Sequence, residues 1–312
     1  MKTFAWVSFW LVAAIWGSSF LLIRVGVEHF TPGQIAVIRC VIAAIGLNAV
    51  MLARGKRYPR DLGVWIAFAI VGFGNAALPY WLIGLGERTI ESALASVIQS
   101  TVPMFSLVIA HFALADERVN TQKILGLLMG FIGVTVLALR QTGSGHENAL
   151  GGMLMVVGAS LCYAILTVYT RRRLSNNIEP IVIAGSTFIL SVPAALALML
   201  LEPVLGVQVA ADVGPMSGEA IGSVLVLGLL NTFIAYLFFY YIIRELGAFR
   251  ATNVTYVVPV FGVVLGALVL REQIDIALVA GAGLILSGIA VINLGGRLAT
   301  WVRPRSRPAT VA

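Results

Sequence analysis

The 312-residue chain is 59% hydrophobic and 11% charged, with a formal charge of +7 and a mean hydropathy of +0.96. Soluble domains carry about 25% charged and about 45–50% apolar residues, so one water-soluble core cannot hold this much apolar surface, and a bilayer is the solvent that fits. The positive charge does not read as nucleic-acid binding, because Lys and Arg fall in short runs between apolar segments, with no basic stripe interleaved with aromatics.

A helix needs about 20 mostly apolar residues to cross a bilayer. Ten stretches meet that requirement: 4–23, 32–53, 62–84, 90–113, 121–140, 150–170, 180–201, 219–243, 250–270 and 275–295. The first follows Lys2, is long enough to span, and has no A-x-A cleavage site behind it, so it reads as a retained helix. Cys40 and Cys162 both fall inside apolar stretches, as small packing residues without disulfide or metal spacing. The longest connection, Glu202 to Gly218, contains Pro203, Gly206, Gly214 and Pro215, which suit an exposed loop. The tail from Arg297 to Ala312 holds four arginines and two prolines. The expected fold is an all-α membrane protein with a first five-helix unit over 1–141, a second over 150–296, and a basic cytoplasmic tail over 297–312.

Charge sets the expected orientation. With ten spans, sixteen of the 21 Lys and Arg residues fall on the side that holds both termini, four fall on the other side, and Arg39 lies within the second helix. The positive-inside rule then places both termini in the cytoplasm.

The sequence also repeats. At a shift of 156, residues 72–114 align with 228–270 without a gap, matching Gly72 to Gly228, Asn75 to Asn231, Tyr80 to Tyr236, Arg88 to Arg244 and Pro103 to Pro259. After a one-residue deletion, Glu117, Gly126 and Gly133 match Glu272, Gly281 and Gly288. Each unit has an odd number of helices, so the second enters the membrane inverted relative to the first. Inverted repeats place a binding site at the repeat interface near the midplane and permit alternating access. A duplication without transport would leave the same pattern.

Trp16-Gly17-Ser18-Ser19-Phe20, Ile38-Arg39, the segment ending at Pro103 and its echo ending at Pro259 resemble the drug/metabolite transporter superfamily, specifically EamA-type proteins, over about Phe4 to Leu294. The resemblance implies a bacterial or archaeal inner-membrane carrier, most often an exporter of amino acids or similar metabolites, and leaves the substrate open.

Candidate site residues come from polar groups at membrane depth. Ser92, Ser96, Gln99, Ser100, Pro103 and Ser106 recur at steps of three and four, and the matching stripe is Thr252, Thr255, Tyr256, Pro259, Gly262 and Gly266. Small polar residues also let helices pack closely in lipid, so packing and substrate contact both remain open. Pro103 and Pro259 cannot donate to carbonyls four residues back, which marks them as matched kinks or hinges, or as bends filled by a neighbouring hydroxyl. Trp16, Tyr163 and Tyr256 lie away from helix ends, where interfacial aromatics gather. The expected lining is Trp16, Ser19, Asn75, Tyr80, Gln99, Tyr163, Asn231, Tyr236, Thr252 and Tyr256. Arg39 either binds an anionic group or snorkels to the near interface, and the sequence leans to the second.

No Asp or Glu sits deep in any stretch, so a facilitator or exchanger is expected, or coupling through a boundary group such as Glu87 or Glu91. Paired deep carboxylates, H-E-x-x-H, G-x-S-x-G and nucleotide-binding loops are lacking, so no enzyme, metal or cofactor is expected. The expected partners are a small-molecule substrate and the lipid bilayer, with room for a homodimer. A membrane pore or a non-transporting membrane partner is the competing class.

Overall fold

The computed structural model describes residues 2–114, 119–143, 148–174, 178–208, 217–247, 250–251 and 253–302. Every regular element among them is helical. The helices are α1 (Lys2–Gly26), α2 (Pro32–Ala53), α3 (Leu62–Gly72), α4 (Leu78–Gly86), α5 (Ser92–Gln99), α6 (Val102–Ala113), α7 (Thr121–Gly143), α8 (Ala149–Arg173), α9 (Pro180–Leu201), α10 (Gly218–Val226), α11 (Ala235–Leu246), α12 (Val254–Val269) and α13 (Ile276–Val302). A π-helical turn, Phe73–Ala77, joins α3 to α4, and another, Leu227–Ile234, joins α10 to α11. Among the described residues, eight helical stretches are long and apolar enough to cross a membrane, Leu62–Gly86 and Gly218–Leu246 running through the π turns and Ser92–Ala113 across a break, and Val254–Val269 and Ile276–Ile292 are shorter apolar helices.

Local chemistry sets the helix starts. Thr31 accepts from the Gln34 amide at 3.2 Å while the Gln34 side chain accepts from the Thr31 amide at 2.9 Å, a capping box with Pro32 in the first turn. Asp61 and Ser217 cap α3 and α10 through the amides of Val64 and Ala220. Gly247, at φ +83°, ends α11.

The expected continuous helices over 90–113 and 250–270 are not continuous. The chain breaks at Ser100–Thr101, where both amides donate three residues back, to Val97 and Ile98. The hydroxyls of the same two residues donate to the same carbonyls at 2.6 and 2.7 Å. Pro103 therefore stands in the first turn of α6, where its missing N–H costs nothing, instead of kinking a helix from within. Pro259 does lie inside a helix, α12, whose own start at Val254 is the interruption in the second half. The stretch expected to end near residue 295 runs on as helix to Val302.

Packing follows the small residues. The α7–α13 pair closes on two glycine crossings, where a Cβ added at Gly126 would stand 2.5 Å from the Gly288 carbonyl oxygen and one at Gly133 would stand 2.7 Å from that of Gly281. Without hydrophobic drive between helices in lipid, this close backbone approach holds such pairs together. α2 packs on α9, α4 on α8, and α1 on α11 and α12. One large apolar cluster runs between α1, α5, α8 and α12, and a second lies between α2, α4 and α9. Gly133→Leu is expected to force α7 and α13 apart and cost about 1–3 kcal/mol of stability, read as a lowered thermal unfolding midpoint of the purified protein in detergent.

Candidate functional site

The π turns carry the site. In the first, Pro79 lacks the N–H that would return to Asn75, and Leu78 donates five residues back to Phe73. No proline stands at Ala235, the repeat counterpart of Pro79. There the α-pattern is displaced by side chains: Thr232 Oγ1 donates to the Leu227 carbonyl at 2.8 Å, and the Ala235 amide reaches back to Leu230. Short π segments inside α-helices occur often at functional sites.

Asn231 is almost wholly buried in the second π turn, and its amide nitrogen fastens that turn to α1, donating to Ser18 Oγ at 3.1 Å, Ser19 Oγ at 3.0 Å and the Ile15 carbonyl. In return, Trp16 Nε1 donates to the Asn231 carbonyl at 3.2 Å. Among the described residues Asn231 Oδ1 has no hydrogen-bond partner. Asn75, its counterpart, is half-buried, and among the described residues its side chain has no hydrogen-bond partner.

Next to Asn231, Thr232 Oγ1 accepts from Arg39 Nε at 3.3 Å. The Arg39 guanidinium lies over the Tyr80 ring, 3.8 Å from its centroid. Arg39 is 5% exposed, so it turns into the bundle and does not snorkel as the sequence leaned. Among the described residues no carboxylate lies within ion-pair distance of it. An isolated buried charge is costly without a counter-charge.

Aromatic rings surround this cation. The Tyr80 hydroxyl faces Thr232 and Tyr236. Tyr236 packs against Phe188 at 5.4 Å, Tyr240 at 5.9 Å and Trp16 at 6.3 Å, centroid to centroid, and Trp16 meets Phe239 at 5.0 Å. Tyr163 comes within electrostatic reach of Tyr80 and Arg39. Tyr163, Tyr236 and Tyr240 sit deep in the bundle yet keep accessible surface. All three come within electrostatic reach of Tyr80, the ring that lies under the Arg39 guanidinium.

The structure thus gathers Trp16, Ser19, Tyr80, Tyr163, Asn231 and Tyr236 around Arg39. Gln99 and Tyr256 lie elsewhere, on the α5 and α12 side, where Gly262 abuts Ser96 and a Cβ added at Gly17 would stand 2.8 Å from the Val258 carbonyl oxygen. Gln99 Oε1 is buried and has no hydrogen-bond partner among the described residues. Thr252 lies outside the described residues. Sequence reasoning missed Thr232 and Tyr240. A hydroxyl beside the repeat-matched Asn231, and a tyrosine one turn after Tyr236, were the available signals.

A helical bundle of apolar spans folded around a buried cation and a set of tyrosines is a multi-pass membrane protein with an internal polar site. The EamA-like transporter family matches twice, over residues 4–139 and 150–294, and the chain belongs to that family. It is 31% identical to an uncharacterized transporter of Archaeoglobus fulgidus over 92% of this chain and 98% of that one. It is 28% identical to the inner membrane transporter YedA of Escherichia coli K12, over 90% and 88%. A probable amino-acid metabolite efflux pump of Salmonella typhimurium is 25% identical over 92% and 94%. A protein of known crystal structure shares the fold at a TM-score of 0.64, with 23% identity over 95% of this chain and 99% of that one.

The two asparagines match in sequence but differ in bonding. Asn231→Ala is expected to lower stability by about 1–2 kcal/mol, the range for polar contacts between helices in membranes, and Asn75→Ala by much less. Thermal unfolding of the two variants side by side in detergent checks the difference.

Proposed function

We propose that the protein is a secondary transporter that exports a small carboxylate-bearing metabolite, an amino acid or a close relative, across the inner membrane by alternating access. The observation that carries this reading is Arg39, a guanidinium buried among tyrosines where α2 and α4 meet the second π turn, with no carboxylate within ion-pair distance among the described residues. A planar fork of N–H donors suits a carboxylate, and the aromatic walls suit an apolar side chain. The names of the Salmonella typhimurium and Escherichia coli K12 relatives, both probable amino-acid metabolite efflux pumps, support the substrate class and the outward direction.

Alternating access rests on ten spans in two inverted halves with both termini inside. Three features support it. The family matches once in each half. Both halves carry a π turn at the matched asparagine. The glycine crossings are reciprocal as well: Gly126 meets Gly288, the counterpart of Gly133, and Gly133 meets Gly281, the counterpart of Gly126. Contacts between connections agree with alternating sides, since Arg140 bonds Asp275 and Glu91 at one end while Lys56 bonds Glu179 at the other.

The test is flux by the purified protein in liposomes, with radiolabelled amino acids set against the matched amines that lack the carboxylate. Saturable movement of at least one amino acid and none of its amine is expected. Arg39→Gln should cut that flux by about 10- to 100-fold, as loss of a charge-assisted hydrogen bond does, and Arg39→Lys should not restore it. Unitary currents would replace the carrier with a pore. Equal transport of amines would remove Arg39 as the anchor.

A further inference from the structure

The acidic group expected at a helix boundary, Glu87, is fully buried, and among the described residues neither of its carboxyl oxygens has a hydrogen-bond partner. It follows directly on α4, at the corner where the chain turns into α5. Arg24 of α1 approaches that corner but donates to the Glu87 backbone carbonyl, not to the carboxyl. Across the corner, Glu272 from the α12–α13 connection holds the start of α5. Its two oxygens accept from the Ser92 and Ala93 amides at 2.7 and 2.8 Å, and Gly266 of α12 lies against Ser92. One carboxylate of the second half thus pins a helix of the first half, and a second carboxyl sits buried beside it.

The neighbouring charges are otherwise committed. Arg140 of α7 bonds Glu91 and Asp275, Arg88 donates to the Gln208 carbonyl, and Glu202 accepts from the Gly33 amide and the Trp81 indole. Arg271 lies beside Glu272 in the chain, with φ +59°. Arg39 of α2 acts on Glu87 only from a distance. α8 packs against this corner through Gly152 and Val156 and presents no charge there.

We propose that Glu87 is a proton-binding site, and that its proton keeps the α4–α5 corner docked on the Glu272 connection. With the proton on a Glu87 oxygen, the carboxyl is neutral and its burial is tolerated. When the proton leaves to water, Glu87 carries a buried negative charge within electrostatic reach of the half-buried Glu272, and the joint between the halves opens at this end. Burial, and after it the Glu272 charge, hold the Glu87 carboxyl well above the ordinary carboxylate range, against smaller pulls from Arg24 and Arg39. A carboxyl raised in the folded state supports the docked form at low pH and loses that support as pH rises through its folded value. The proposal takes its meaning from the transport reading, in which this end is a mouth of the pathway.

The test reads the joint itself and needs no substrate. Ser92→Cys, made after replacing Cys40 and Cys162 with Ala, is titrated with a maleimide across pH in detergent, and each rate is divided by that of an exposed Arg57→Cys control. Ser92 is fully buried against the Glu272 connection, so labelling reports opening. Relative labelling should climb with pH by up to about tenfold per unit, the limit for one proton. Glu87→Gln, the neutral isostere, should remain low throughout, and Glu87→Asp should keep a shifted climb. Hydrogen exchange of the Ala93 amide in the chain with Ser92 intact, corrected for intrinsic rates, should follow the same two patterns. A flat profile with Glu87 in place, or a Glu87→Gln profile that climbs equally, overturns the proposal. Absence of flux in liposomes would sink the transport reading and leave this result standing.

Discussion

Inside hydrocarbon a backbone N–H or C=O has no water to turn to, so every departure from regular helix must be satisfied within the protein. Among the described residues the departures include two π turns, the break at Ser100–Thr101 and the start of α12. At the first break, two hydroxyls bond the carbonyls of Val97 and Ile98. At the second π turn, Thr232 fills the ladder from within and Asn231 ties the turn to α1. Irregular backbone and polar side chains therefore go together, and at the two π turns they adjoin the Arg39 site. Arg39 belongs to the same economy, because the hydroxyl that props the π turn open is the one that holds its guanidinium.

Much of this was legible beforehand. Apolar length located the spans, since the bilayer imposes it on any sequence. The matched asparagines, Tyr80 with Tyr236, and the aromatics away from helix ends led to most of the residues near Arg39. What stayed hidden depends on partners far along the chain. The second π turn is fastened by Asn231 to Ser18 and Ser19, more than 200 residues earlier, and no local pattern encodes that. Arg39 looked able to snorkel because position along a helix does not tell which way a long side chain turns. Glu87 looked like an ordinary boundary charge for the same reason: burial at a corner comes from what packs against it, here α1, α8 and the Glu272 connection.

The two halves repeat in sequence more closely than in bonding. Asn231 is fastened to α1, while Asn75 has no partner among the described residues. Pro103 opens a helix, while Pro259 lies within one. An alternating carrier needs such asymmetry, because two equivalent halves in equivalent conformations would leave the site equally open or closed to both sides. Under that reading the structure is one member of a pair of states, with the contacts of the halves exchanged in the other.

A π turn holds more residues per turn than the helix on either side of it, so it stores slack. Passing that slack along by one residue exchanges bonds five residues back for bonds four back, and turns the residues it passes by about 100° about the helix axis. For the helix Gly218–Leu246, such a step swings Asn231 off the serines of α1 and Thr232 away from Arg39 while both ends of the helix stay where they are. The site then changes its lining without a hinge in any loop, as a screw turns in a fixed nut.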